Sequence, residues 1–246
     1  MLQTLNGLVL RQIRLPNEGS KKLSLLTDSG IVEAFVNGTN KKNSPLQSAV
    51  QPLSYSQFVI FENRGSRNIN SAAPIEFFFE LTTDIESLAL AQYLCEIALA
   101  LLSELEQSTE PLRLMLNSLY MLAKNKRPPA QIKSIVELRM MSIAGFMPDL
   151  VMCRECGQYE NDNMCFLPEE GRICCYDCLK GRQDYCKLNP SSLTAMRHIA
   201  LSPLEKVFSF KMNESSLKML NAATERYILQ KTRKNFTALE FYKELK

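Results

Sequence analysis

The first 80 residues of this 246-residue chain alternate short apolar runs with turn chemistry. Leu5–Leu15, Lys22–Thr27, Ile31–Val36, Tyr55–Glu62 and Ile75–Leu81 are rich in Leu, Val, Ile and Phe, and each is short enough to be a strand. Asn17-Glu18-Gly19-Ser20, Asp28-Ser29-Gly30, Asn37-Gly38 and Asn63-Arg64-Gly65-Ser66 break them. Asp28-Ser29-Gly30 predicts a hairpin, and Arg67–Asn70 is a further short strand. Short strands at this spacing predict a small closed β-barrel over 1–80, with the OB-fold as the leading assignment and an SH3-like barrel as the alternative.

At Thr83 the period changes to that of a helix. Thr83-Asp84-Ile85-Glu86 fits a capping box, and the run to Leu105 is apolar on most faces, as in a central buried helix. A second helix follows Ser108/Thr109, with Leu112, Met115, Leu116, Leu119 and Leu122 at helical spacing. A third starts after Pro128-Pro129, carries Ile132, Ile135, Val136 and Arg139, and stops at Gly145. Pro190-Ser191-Ser192 opens a short helix, Asn213 or Ser215/Ser216 opens another running to about Lys231, and Phe236–Leu245 adds a last turn or two. The prediction is an α+β multidomain chain in four parts: barrel 1–80, helical bundle 81–150, a cysteine module inserted at 151–182, and helices 183–246 that pack back on the bundle.

That module holds Cys153-Arg-Glu-Cys156 and Cys175-Tyr-Asp-Cys178, separated by eighteen residues. Each C-x-x-C turn presents two thiolates to one ion, and two pairs complete the tetrahedral shell that Zn²⁺ favours. Such a closed shell leaves no coordination position for water or substrate, so the expected role is one structural zinc ion. The pair interval selects Cys175 over the adjacent Cys174, and Cys95, Cys165 and Cys186 are spare thiols. A thioredoxin-type redox role needs a βαβ context that the segment lacks.

The start, Met1-Leu2-Gln3-Thr4-Leu5-Asn6, has neither the basic onset nor the apolar run of a secretion signal. Ser87–Leu102 carries Gln92 and Glu96 and is short for a bilayer. The expectation is a cytoplasmic protein without membrane contact, where reduced thiols favour a metal over disulfides. Net charge is +3, distributed as +3 over 1–79, −3 over 80–150 and +3 over 151–246. This suits nucleic acid without requiring it. Phosphoryl-transfer loops, G-x-G-x-x-G and H-E-x-x-H are absent, and the lone His198 falls opposite the apolar face of its helix, so no enzyme is expected.

Cations in the barrel's loops carry the nucleic-acid reading: Lys21-Lys22, Lys41-Lys42, Arg64 and Arg67, with Arg11 in mid-strand. Phe35, Tyr55, Phe58 and Phe61 are candidates for base stacking, with core filling as the competing assignment. Lys124, Lys126 and Arg127, and the Lys231-Arg233-Lys234 run, serve equally as helix-end cations.

Glu137-Leu138-Arg139 through Gly145-Phe146-Met147-Pro148-Asp149-Leu150, leading into Cys153-x-x-Cys156-Gly157, resembles the segment joining bundle to zinc module in the RecO family of bacterial recombination mediators. Gly7–Arg11, Lys21–Leu23, Leu25–Thr27, Gly38, Lys41 and Gln51-Pro52 are similar to that family's OB domain. The resemblance implies a non-enzymatic DNA repair and recombination protein of the bacterial nucleoid. It implies binding of single- and double-stranded DNA, strand annealing, the partner RecR and the C-terminal tail of single-strand-binding protein. RecA loading is then helped indirectly. By position, Arg11, Lys21, Lys22, Lys41 and Lys42 face DNA. Two departures stand out. Gly38-Thr39-Asn40-Lys41 replaces a Gly-Ala-Arg-Lys loop and removes one cation, and Gly171-Arg172 with the extra Cys174 leaves Cys174 and Cys175 both open as third ligand. The alternative is a protein-interaction adaptor with a structural zinc module and no direct DNA binding.

Overall fold

The strand-to-helix switch near residue 83 is visible in a computed structural model, which describes residues 1–16, 19–37, 45–63, 65–102 and 108–246 (of Pro45, the backbone only). The architecture is mixed α+β, in two compact units: Met1–Lys124 with Thr237–Lys246, and Asn125–Phe236.

In the first unit, β1 (Leu2–Arg14), β2 (Lys21–Thr27), β3 (Gly30–Val36), β4 (Ser54–Asn63) and β5 (Ser66–Phe77) form one sheet in the order β1-β2-β3-β5-β4, with β4 paired back to β1. The long β1 serves both edges: a register shift between Val9 and Arg11 lets its first half pair with β4 and its second with β2. Val9, Leu23, Leu25, Ala34, Val36, Phe58, Ile60 and Ile69 fill the interior with Val50, which follows the short helix α1 (Pro45–Ala49). The hairpin at Asp28-Ser29 is present, with Thr27 opposite Gly30 and the Thr27 hydroxyl donating to the Gly30 carbonyl at 2.8 Å.

Two expectations are corrected here. The strand expected at Ile75–Leu81 ends at Phe77; Arg67–Asn70 belongs to the same strand, and Phe79–Thr82 is a 3-10 turn. The capping box also shifts by one residue. Thr83 donates its hydroxyl to the Glu80 carbonyl, closing that turn, and Asp84 is the N-cap of α2 (Ile85–Leu101), accepting from the Ser87 N–H at 2.9 Å. Buried Ala89, Leu90, Ala91, Tyr93, Leu94, Ile97 and Ala98 cover most of α2's circumference. Helices α3 (Glu110–Ala123) and α7 (Thr237–Glu244) pack on it.

In the second unit, α4 (Pro129–Ile143) starts at the Pro128-Pro129 break and ends in a Schellman motif. Gly145 takes φ +86, the Phe146 N–H reaches the Met141 carbonyl at 2.8 Å, and the Gly145 N–H reaches Ser142 at 3.2 Å. Helices α5 (Pro190–Leu201), capped by Asn189 and Ser192, and α6 (Glu214–Thr232), capped by Asn213, pack against α4. The cysteine segment contains a three-stranded sheet that its sequence did not announce: β6 (Met164–Leu167) lies between β7 (Arg172–Cys175) and β8 (Cys186–Leu188). Among the described residues no helix is long and apolar enough to cross a membrane.

Candidate metal centre and cationic strand pair

The first cysteine pair sits on a closed loop. The Cys153 N–H donates to the Gln158 carbonyl at 2.9 Å, and the Gly157 N–H donates to the Cys153 carbonyl at 2.8 Å. Gly157 takes φ +75, a left-handed conformation that costs a residue with a Cβ about 1 kcal/mol or more. The second pair begins at the end of β7 and runs through the 3-10 turn Tyr176–Cys178. The Sγ atoms of Cys153, Cys156, Cys175 and Cys178 all lie within 4.8 Å of one another, with Cys156 and Cys175 3.5 Å apart. With Zn–S bonds of about 2.3 Å, the edge of a tetrahedral thiolate shell is about 3.8 Å, so this set fits one ion. Cys174 lies 3.9 Å from Cys153 but falls outside the four-sulfur group. Asn161 Nδ2 lies 3.5 Å from Cys175 Sγ, a donor suited to a ligating thiolate.

The acid–base balance of the cluster fits a cation. Burial opposes ionisation of Cys153, but backbone amides of Cys175, Cys156 and Glu155 outweigh it and bring the thiol down to about 6. Burial and then the neighbouring Cys156 and Cys153 push Cys175 up, while contact with Cys156 followed by burial holds Cys178 at about 11. One thiolate thus suppresses the others, and four coexist only around a positive ion. The most acidic thiol is also fully buried, at 0% exposure, which suits a ligand and not a nucleophile for external disulfides. Among the spare thiols, burial raises Cys165 and Cys186 to about 11 and Cys95 to about 12.

Four cationic residues of the first unit, Arg11, Arg14, Lys21 and Lys22, lie on the β1–β2 pair. Exposed Arg11 lies opposite Ser24, and Lys22 lies opposite Ile13, so strand alternation places Arg11 and Lys22 on one face. Lys22 pairs with Glu33 on β3. Lys21 stands directly opposite Arg14, a residue that sequence reasoning did not select; only the β1–β2 register reveals it. Partial burial, then Arg14's charge, lower the Lys21 ammonium. Like charges held opposite one another favour an anion between them. Lys41, Lys42, Arg64 and the Gly38–Lys41 loop lie outside the described residues. Of the aromatic candidates, Phe58 is core at 0% exposure and cannot stack on a base; Phe35 and Tyr55 are half-buried and Phe61 is exposed.

Other cations have structural employment. Lys124 pairs with Glu80, Arg127 Nε donates to the Phe208 carbonyl at 2.8 Å, and Lys231 donates to the Glu169 carbonyl at 2.7 Å. His198 is not the free surface residue expected. It is half-buried, with Nε2 2.8 Å from the Lys206 carbonyl, Nδ1 2.9 Å from Ser202 Oγ, and its ring edge-on to Phe210.

The Recombination protein O N-terminal family model matches residues 1–78, and the Recombination protein O C-terminal model matches residues 82–240. The chain is 31% identical to a DNA repair protein RecO of Acetivibrio thermocellus over 98% of its own length and 96% of that protein. It is 28% identical to that of Alkaliphilus metalliredigens over the whole of both chains, and 27% identical to that of Caldicellulosiruptor saccharolyticus over 98% and 97%.

Proposed function

The chain belongs to the RecO family of DNA repair proteins, and from that premise we propose that it is a non-enzymatic recombination mediator acting on DNA in the bacterial cytoplasm. It binds and anneals single-stranded DNA, engages double-stranded DNA, RecR and the acidic tail of single-strand-binding protein, and so helps RecA load. We assign phosphate contact to the five-stranded barrel of residues 1–80, read as an OB-fold, and partner contact to the helices of 81–150 and 183–246. The module 151–182 is a structural clasp holding one Zn²⁺ through Cys153, Cys156, Cys175 and Cys178. The zinc contributes folding energy and no reactive position.

The observation that carries the DNA reading is the β1–β2 register, which gathers Arg11, Arg14, Lys21 and Lys22 on two adjacent strands. Lys41, Lys42 and Arg64 extend the assignment by sequence. Each phosphate that such a cation neutralises releases counterions and adds about 0.9 to the log–log salt slope on duplex, about 0.7 on single strands. Replacing Lys21, Lys22, Lys41 and Lys42 with Gln together should lower the slope by roughly 3–4 on duplex DNA if all four touch phosphate. An unchanged slope removes these residues from the interface. Absence of saturable binding to labelled single-stranded DNA at low salt would favour the adaptor reading instead.

A further inference from the structure

We propose that Arg197, on α5, is the positioning residue of the metal centre: its guanidinium fixes both stems of the loop that carries Cys153 and Cys156. This rests on the metal-binding reading above. Arg197 Nε donates to the Leu150 carbonyl at 2.8 Å, and Nη2 donates to the Val151 carbonyl at 3.1 Å. The same Nη2 donates to the Tyr159 carbonyl at 2.6 Å, and Nη1 reaches Glu160 Oε2 at 3.1 Å. The guanidinium carbon also stacks 3.9 Å from the centre of the Tyr159 ring.

These five contacts, made to four residues, fall into two groups. Leu150 and Val151 enter the loop just ahead of Cys153, whereas Tyr159 and Glu160 leave it just after Gly157. One planar fork therefore ties the chain entering the ligand turn to the chain leaving it, and ties both to a helix whose inner face is buried. The arrangement is chemically specific. Three of the acceptors are neutral carbonyls that need directed N–H donors, and the ring needs a flat cation; a lysine ammonium on a flexible stem satisfies neither fully. A metal shell gains affinity when its ligands are held before the ion arrives, and loss of such outer partners costs about 10–100-fold in metal affinity. Arg197 thus does for the first cysteine pair what the β7 strand and its 3-10 turn do for the second.

The test uses the full chain carrying Arg197→Met and Arg197→Lys, with Arg139→Lys as control. Arg139 donates to the Ile199 and Ala200 carbonyls at the C-terminal end of α5, so it holds the same helix through other carbonyls than those Arg197 grips. Zn²⁺ affinity is measured by competition with a chromophoric chelator, and Co²⁺ substitution reports shell geometry through its d–d bands. Arg197→Met should bind Zn²⁺ about 10–100-fold more weakly, with broadened Co²⁺ bands; Arg197→Lys should recover part of the loss, and Arg139→Lys should change neither. Should Arg197→Met fail to fold, Glu160→Gln, which removes the one charged partner and leaves the fork, should still weaken Zn²⁺ binding several-fold. Wild-type affinity and unaltered Co²⁺ bands in a folded Arg197→Met chain would overturn the proposal, as would an equal loss in Arg139→Lys. A wild-type chain that binds no metal would instead overturn the zinc reading.

Discussion

Lys133 is 1% exposed and Glu137, one turn later on α4, is 0% exposed. The Lys133 ammonium lies 2.8 Å from Glu137 Oε1, 2.8 Å from Glu225 Oε2 on α6 and 3.0 Å from Asn221 Oδ1, while the Thr224 hydroxyl donates to Glu137 Oε2 at 2.7 Å. Replacing Lys133 with Met strips the cation from a carboxylate that has no water to replace it. Removing one partner of a buried pair costs about 3–5 kcal/mol, which is two to almost four orders of magnitude in the folding equilibrium. Glu225 is nearer the surface, so most of this loss falls on Glu137. The double variant Lys133→Met/Glu137→Gln removes the orphaned charge and keeps an acceptor for Thr224, and should recover most of the loss. Acidity discriminates further. In the single variant a buried Glu137 without the Lys133 ammonium takes up a proton more readily folded than unfolded, so its deficit should shrink as pH falls. In the wild type, burial works against the Lys133 charge, but Glu137 and Glu225 outweigh it and hold the ammonium above its ordinary range. Its contribution is therefore present at neutral pH and lost only as pH rises past the lysine range. Urea unfolding of the full chain at several pH values is the assay. A single-variant loss below about 1 kcal/mol, or a double variant no better than the single, would refute the reasoning.

Further outcomes follow from the same geometry. Cys175→Ser should abolish tight Zn²⁺ binding while Cys174→Ser retains it, read by metal content after gel filtration; the reverse pattern would move the third ligand to Cys174. Gly171 sits at φ +69, and a Cβ there would meet the Tyr227 ring and hydroxyl at 3.2 and 3.1 Å. Gly171→Ala should therefore lower stability by roughly 1–3 kcal/mol in thermal melts, since the Tyr227 hydroxyl is held on the Phe146 carbonyl at 2.7 Å. Asp84→Ala should cost about 1 kcal/mol as a lost N-cap, with Thr83→Ala costing less. The Ser87 side chain and N–H hold the Asp84 carboxyl below its usual range, so that stabilisation is present at neutral pH and should vanish as pH falls through the folded value.

What the chain announced and what it concealed divide along a physical line. Asp28-Ser29-Gly30, Pro128-Pro129 and the paired cysteines are local chemistries whose geometry follows from a few neighbouring residues, and each appears where its sequence placed it. The strand β5 was misread because much of it is exposed and polar, so apolar alternation does not mark its span. The little sheet β6–β8 has strands of three or four residues, too short for a period to register. Lys133 and Glu137 look like an ordinary solvated i,i+4 pair until α6 delivers Asn221 and Glu225 from some 88 residues on. Arg14 was invisible for the same reason: its partner Lys21 is assigned by register and not by spacing.

The stretch 137–150, which carries the resemblance to the family's joining segment, is occupied with holding the second unit together. Glu137 accepts from Lys133 and Thr224, Arg139 reaches the last carbonyls of α5, and Phe146 supplies the carbonyl that holds Tyr227. Asp149 joins the edge of β7 through the Asp149–Arg172 bridge, with its N–H on the Gly171 carbonyl at 2.8 Å. None of these groups is offered to a ligand. By contrast, Arg11 is exposed and Lys21 and Lys22 are half-exposed, and neither lysine fills the core. On the proposed reading, the 137–150 stretch serves the fold of the second unit and DNA contact falls to the β1–β2 pair of the first. Substitutions along 137–150 should move melting temperature at constant salt slope, whereas substitutions on the β1–β2 pair should move the salt slope at constant melting temperature. A single residue that moved both strongly would mean that the signature stretch itself contacts DNA.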